Sequence, residues 1–326
     1  ASPLFNTSGD IAKWEAAATA AFDVIRQASA FGYALDDDYK NLFGATNNQS
    51  AEVILCRPEG KTTHFESANY PIGVEKGSGY TCPTENLVSA YEMSDGSSFD
   101  WNNPVQAADR YKNRDPRLQM TVVFNGMQWP AKTPVETYHG GRNGQPLLNA
   151  TTTGYYLKKY LNNKVIFEAG KNTNSFDHNW ILFRYAEILL NYAEAMAEAY
   201  GPDQVVSPFI MSAREAVNLV RSRKNVKMPK FPTGMSKADF LARLRNEQIR
   251  HERKVELAFE GHRFWDLRRW KALGDMKDIY KVNIEKRADG TLTFAKEKLC
   301  TYEITDKMYF YPISNAERYK NTNLKQ

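Results

Sequence analysis

Residues 246–270, NEQIRHERKVELAFEGHRFWDLRRW, place charge or histidine at more than half of their positions, beside Leu257, Phe259, Phe264, Trp265, Leu267 and Trp270. The stretch reads as one continuous helix. Four chemistries compete for its ionisable groups. Glu256 and Glu260 could form an acid–base pair, but glycosidase carboxylates face each other across a cleft, roughly 5–9.5 Å apart, from different segments. Two carboxylates one turn apart on a helix are poorly placed to straddle a sugar. His251, Glu260 and His262 lack the four-residue spacing of helix-borne zinc ligands. Arg268, Arg269, Trp270 and Lys271 make a short basic run that suits the C-terminal end of a helix better than a nucleic-acid grip.

The fourth chemistry is structural, and the spacing favours it. Arg253, Glu256, Glu260 and Arg263 share one helical face. Glu252–Glu256 and Glu256–Glu260 are like-charge i, i+4 pairs, each costing a few tenths of a kcal/mol in an isolated helix. They are tolerable where basic partners intervene. Arg253 and Arg263 are placed to do that, and Arg184 is a further candidate. The expectation is a partly buried Arg–Glu network, with Gly261 permitting a bend before HRFWDL.

The elements that must carry this helix are legible in part. The chain has 326 residues, 42% hydrophobic, 25% charged and 13% aromatic. The aromatic share is high, and Tyr and Trp serve flat or amphipathic ligands as well as cores. The net charge of +5 comes from 43 basic and 38 acidic residues of interleaved sign, without the one-faced basic patch of a nucleic-acid binder. Cys56, Cys82 and Cys300 are too few and scattered for a disulfide framework or a zinc site, though one pair remains open in an oxidising compartment. No segment has the roughly 18–20 apolar residues of a membrane helix.

Ile11, Trp14, Ala18, Phe22 and Ile25 predict a helix to about Ala28, capped by Ser8 or Asp10. Residues 180–201 and 207–225 predict two more, with stripes of Ile181, Tyr185, Ile188, Tyr192, Met196 and of Ile210, Ala213, Val217, Val220. Together they resemble a tetratricopeptide-like hairpin. Ser236 and Asp239 have the form of a capping box for a further helix. Strands are expected within 51–56, 119–126, 291–302 and 307–313. Residues 31–176 are otherwise rich in Gly, Asn, Thr, Pro and Asp, and such long loops carry binding surfaces. LDDDYKNLF and SDGSSFD do not fit a twelve-residue calcium loop; Asp36–Asp38 read as caps and solvated charge.

Motifs spread along the chain resemble the SusD/RagB family of outer-membrane nutrient-binding lipoproteins. They are SPLFN (2–6), YALDDDYKNLFG (33–44), CPTENLVSAYEM (82–93), RYAEILLNYAEA (184–195), AREAVNLVRSR (213–223), HERKVELAFEGHRFWDLRRW (251–270) and YPISNAERYKNTNLKQ (311–326). The resemblance implies a mostly α fold: a SusD-like superhelix of tetratricopeptide-like hairpins, with a large loop-rich segment and a few short strands. It implies one domain over 1–326: a helix in 1–30, a loop-rich ligand-binding segment in 31–176, and helical hairpins with C-terminal strands in 177–326. The resemblance implies the later part of such proteins, which are expected to open with a lipoprotein signal, an acylated cysteine and further tetratricopeptide-like helices.

By the same resemblance the protein is expected to bind oligosaccharide without cleaving it, at the outer-membrane surface, and to deliver it to a SusC-like TonB-dependent transporter. No cofactor, metal or nucleic acid is implied, and membrane contact would run through the lipid anchor. Some members take peptides, and a helical scaffold for a partner chain or a glycan-cleaving enzyme are the rival readings. Sugar recognition needs flat aromatic faces and planar polar side chains. In the loop-rich segment Tyr70, Tyr80 and Trp101 are the first candidates, followed by Phe65, Asn69, Asn102, Trp129 and Tyr138.

Overall fold

The computed structural model describes residues 2, 4–5, 9–44, 46–167, 174–237, 240, 249–321 and 323–324. Helix α1 (Ile11–Gln27) starts at Asp10, whose carboxylate accepts from the Ala12 amide at 3.0 Å. Its apolar stripe buries Trp14, Ala18 and Phe22, while Ile11 stays exposed. The loop-rich segment is ordered around short helices: α2 (His64–Asn69), α3 (Glu85–Val88), α4 (Pro104–Ala108) and α5 (Pro116–Thr121). Strand β1 (Val53–Thr62) lies before them, and two two-residue strands, β2 (Val122–Val123) and β3 (Tyr156–Leu157), pair antiparallel after them. Of the strand expected within 119–126, only β2 forms.

Strand β4 (Phe176–Arg184) pairs antiparallel with β1, Ile181 opposite Cys56. It corrects the expected helix start at residue 180: WILFR is extended, and the helix α6 begins at Tyr185. A run of bulky side chains fits a paired strand better than a helix, and Arg184 itself has φ −141° and ψ 158°. Helix α6 (Tyr185–Ala199) stops at Gly201, which at φ 99° hydrogen-bonds back to the Met196 and Ala197 carbonyls. Helix α7 (Ala213–Arg221) opens with a complete capping box, Ser212 and Glu215. Ile210, expected in its stripe, precedes it and is exposed.

Helices α1, α6 and α7 share the main apolar core, with Phe22, Tyr192 and Phe209 meeting ring to ring. Phe240 is buried in it; Asp239 and residues 241–248, where the next helix was expected, lie outside the described residues. The continuous helix expected over 246–270 is two: α8 (Ile249–Glu256) and α9 (His262–Arg269). Between them Phe259 and Gly261 adopt φ 62° and 85°, left-handed values that a continuing helix does not tolerate. A hairpin of β5 (Asp278–Lys286) and β6 (Leu292–Thr301) follows. The strand expected at 307–313 is instead a 3-10 turn at Asp306–Tyr309, ahead of helix α10 (Asn315–Lys320). All three cysteines are free.

The break in the charged helix has a physical purpose. It turns Glu260 back onto Arg184 and Lys159, at 2.7 Å each. One Arg117 nitrogen bonds both Glu252 (2.6 Å) and Glu256 (2.8 Å), so a single guanidinium separates the like charges. Arg184 joins Glu256 to Glu52 of the segment before β1, and Arg223 bonds the same two acids. Arg221 links Glu252 to Glu92, and Asp115 grips Arg117. Burial alone pushes the Glu256 carboxyl up. Arg223, Arg184 and Arg117 more than reverse this and hold it well below the usual carboxylate range.

The expected partners of these acids need one correction. Arg253 and Arg263 do not sit between the glutamates. Arg253 is held by Asp266 (3.0 and 3.1 Å) and Asn191 (2.7 Å). Arg263 has Asp275 at 3.9 Å as its nearest carboxylate. Only Arg184 of the three takes the expected place.

Candidate functional site

Loop 94–103 forms one wall of an open cleft of about 550 Å3. The loop is held by its own polar groups: Asp100 accepts from the Asn102 amide at 2.8 Å, and Gln106 accepts from the Asp100 amide at 2.8 Å. Asn103 caps α4 through Val105 (3.0 Å). The Trp101 indole nitrogen donates to Glu85 (3.0 Å) and Ser89 (3.1 Å) of the α3 region. The Arg110 guanidinium lies 3.5 Å from the Trp101 ring centre, and Phe99 meets the ring edge-on at 5.9 Å and 79°. The indole that lines the cleft is thus fixed in orientation before any ligand arrives.

The opposite wall comes from the charged helices. His251 and Lys254 project from α8, Arg263 from α9, and Lys296 from β6. Lys254 donates to the Asn86 carbonyl at 2.7 Å, while the Asn86 side chain ties α3 to β5 through Asp278 (2.9 Å) and Tyr280 (2.8 Å). Burial, foremost, pushes His251 down to about 3, so its imidazole is neutral near pH 7. The exposed Asn102 side chain makes no hydrogen bond to the described residues. One fixed indole, a free planar amide and several N–H donors in an open polar cleft are what paired sugar hydroxyls need.

Residues 22–326 match the family model described as the SusD family. This chain belongs to the SusD family. It is 28% identical over 278 residues to SusD-like protein P2 of Formosa agariphila, covering 82% of this chain and 48% of that one. A SusD-like protein of Bacteroides fragilis superposes with a TM-score of 0.74 at 27% identity, over 94% of this chain and 61% of its own. A SusD-like carbohydrate-binding protein of the same organism also gives 0.74, over 96% and 61%, and at 23% identity supports the fold alone. These neighbours match the mostly α, tetratricopeptide-like architecture. The chain spans about half the length of the curated relatives it matches.

Within this SusD family chain the eight expected ligand residues do not converge. Trp101 and Asn102 line the cleft. Tyr70 is 1% exposed, its hydroxyl donating to the Asn162 carbonyl at 2.6 Å, and Trp129 meets it edge-on at 5.5 Å in a separate small core. Both also border a second depression of about 480 Å3, lined in addition by Phe167 and Val135. A sealed tyrosine offers no stacking face, so Tyr70 is a core residue. Phe65 uses its face on His178, at 4.5 Å and 17°. Asn69 is buried and donates to the Phe65 carbonyl at 2.9 Å. Tyr138 is half-buried against the core that contains Tyr91 and Tyr155, with Lys286 over its ring. Tyr80 is 76% exposed and borders neither depression.

Phe99, His251, Lys254, Arg263 and Lys296 also line the cleft and are not among the eight expected residues. A signal for two of them existed. His251 and Lys254, three apart, share a helical face, and it is not the face of Glu252 and Glu256. Arg263 was out of reach of that logic, because its direction depends on the break at 259–261.

Proposed function

We propose that this chain captures oligosaccharide at the outer-membrane surface and hands it, uncleaved, to a SusC-like TonB-dependent transporter. The observation that carries the reading is the cleft at Trp101: an indole locked by Glu85, Ser89 and Arg110, beside the free amide of Asn102. Family membership supports it. Non-catalytic capture is favoured because Glu252, Glu256 and Glu260 are buried and ion-paired, with carboxyls held low by arginines and lysine. None of the three borders the cleft.

The test is titration calorimetry against a broad oligosaccharide panel, followed by Trp101→Ala. Loss of a central aromatic contact is expected to weaken binding by roughly tenfold or more, with circular dichroism unchanged. The proposal fails if no oligosaccharide binds, or if the variant binds its ligand as tightly as the parent. New reducing ends appearing during incubation would replace capture with cleavage. Co-purification with a SusC-like transporter tests the hand-over.

A further inference from the structure

Arg263 lines the cleft with its guanidinium half-buried, yet it makes no hydrogen bond to any described residue. Its nearest carboxylate, Asp275, stands at 3.9 Å, beyond hydrogen-bond reach. Burial, foremost, draws its pKa down from the usual arginine value, and Asp275 and Asp266 only partly offset this. The contrast with the interior is sharp: Arg117, Arg184, Arg221 and Arg223 each hold at least one carboxylate at 2.8 Å or closer.

A lysine joins it. Lys296 rests 4.4 Å from the Tyr280 ring centre, and no carboxylate of the described residues lies within ion-pair distance. Against Arg263 and Lys296 stand Asp275, turned to Arg263, and Asp100 of the facing loop, which accepts from its own backbone at Asn102. His251 is neutral. The wall opposite Trp101 therefore presents a planar fork of N–H donors at Arg263 and the ammonium group of Lys296. Such a fork matches an oxyanion bidentately.

We infer that the glycan taken by this cleft is acidic: its sugars carry an oxyanion substituent, a uronate carboxylate or a sulfate ester, that docks on Arg263 and Lys296 while a neighbouring ring stacks at Trp101. This rests on the glycan-binding proposal and narrows its substrate class.

The test uses the full chain and matched pairs of hexasaccharides: oligogalacturonate with its methyl ester, sulfated with unsulfated galactan, and glucuronoxylan fragments with plain xylan fragments. The acidic member of at least one pair is expected to bind about tenfold tighter than its neutral partner at low salt, as a charge-assisted hydrogen bond allows. The advantage shrinks at high salt, and the winning pair distinguishes carboxylate from sulfate. Arg263→Gln should erase the difference and Arg263→Lys should keep part of it. Lys296→Gln, on an exposed hairpin, should reduce it without risk to the fold. Neutral members binding as well as acidic ones would overturn the inference and leave glycan capture standing. Failure of every sugar, acidic or neutral, would overturn both. A preference that survives Arg263→Gln and Lys296→Gln together would overturn the assignment to this wall.

Discussion

Glu256→Gln tests the ion network at its centre. Three guanidinium groups point at the Glu256 carboxylate, from Arg117 (2.8 Å), Arg184 (2.8 Å) and Arg223 (2.9 Å). Glutamine keeps the shape but offers one acceptor oxygen. Arg184 and Arg223 share one carboxylate oxygen and Arg117 uses the other, so in either orientation of the amide an NH2 group faces a guanidinium donor. Removing one partner of a buried pair costs about 3–5 kcal/mol. Here the cost should lie near the lower end, about 3 kcal/mol, because Arg117 keeps Asp115 and Glu252, Arg184 keeps Glu52 and Glu260, and Arg223 keeps Glu52. At roughly 2 °C per kcal/mol for a chain of this size, the melting temperature should fall by about 5–8 °C. The assay is differential scanning calorimetry at pH 7. Glu136→Gln is the reference, because its pair with Arg142 at 2.9 Å is partly exposed, and exposed pairs contribute about 0–1 kcal/mol. A melting temperature within 1 °C of the parent for Glu256→Gln would refute the structural role. Loss of a sugar-cleaving activity with the fold intact would instead make the glutamate catalytic.

Arg253→Ala should lower the melting temperature, since it strips Asp266 and Asn191 of a buried partner, while glycan affinity measured by calorimetry stays within about twofold because Arg253 lies outside the cleft. Acid should unfold the protein early. Glu252, Glu256, Glu260 and Asp266 (to about 2) all have carboxyls lowered on folding, so their stabilisation is complete above their ordinary values of 4.5 and 3.8 and is lost as pH falls below them. Glu92, raised by burial, acts in the opposite sense and is outnumbered; a melting temperature unchanged down to pH 3 would contradict this. Gly261→Ala should cost about 1–2 kcal/mol for its left-handed backbone alone, having open space around the added methyl. Gly154→Ala should cost roughly 2–5 kcal/mol, since the methyl would also meet Val282 at 2.5 Å. Urea titration of the two variants checks that order.

Periodicity made α1, α6 and α7 legible because their stripes face one shared core, and local spacing tells such a face from the rest. It failed at residues 180–184, where an apolar strand runs without interruption into an apolar helix and no Gly or Pro separates them. The charged helix shows the same division. That its glutamates needed buried partners followed from like charges one turn apart. Which partners followed from nothing local, since Glu52, Glu92, Asp115, Arg117, Arg221 and Arg223 come from all along the chain. The aromatic candidates divide for a related reason. Tyr70 and Trp101 sit in equally polar, Pro- and Asn-rich surroundings. What separates them is tertiary: Asn162 arrives over the Tyr70 hydroxyl, whereas Glu85 and Ser89 take the Trp101 nitrogen and Arg110 covers its ring on one side, and the indole still lines the cleft.

The network and the cleft are two faces of one element. Glu252 and Glu256 tie α8 to α5, β4 and α7 through arginine, while His251 and Lys254 leave the same two turns toward the cleft. Buried ion pairs fix geometry more than they add net stability, and geometry is what a shallow site for a hydrated ligand lacks. Each side chain immobilised only on binding subtracts roughly 0.5–1.5 kcal/mol from affinity. A helix pinned by carboxylates on its inner side presents Lys254 with its backbone already in place, and the turn at 259–261 does the same for Arg263 by sending α9 off in a new direction. Across the cleft the Asp100, Asn103 and Gln106 bonds hold loop 94–103 in the same way. Discrimination between sugars should then depend on fixed distances between Trp101 and the cationic wall rather than on closure around the ligand. Hydrogen exchange can test this: binding to a rigid site should leave the protection of loop 94–103 unchanged, and strong protection gained there only with ligand would show that the loop is ordered by the sugar instead.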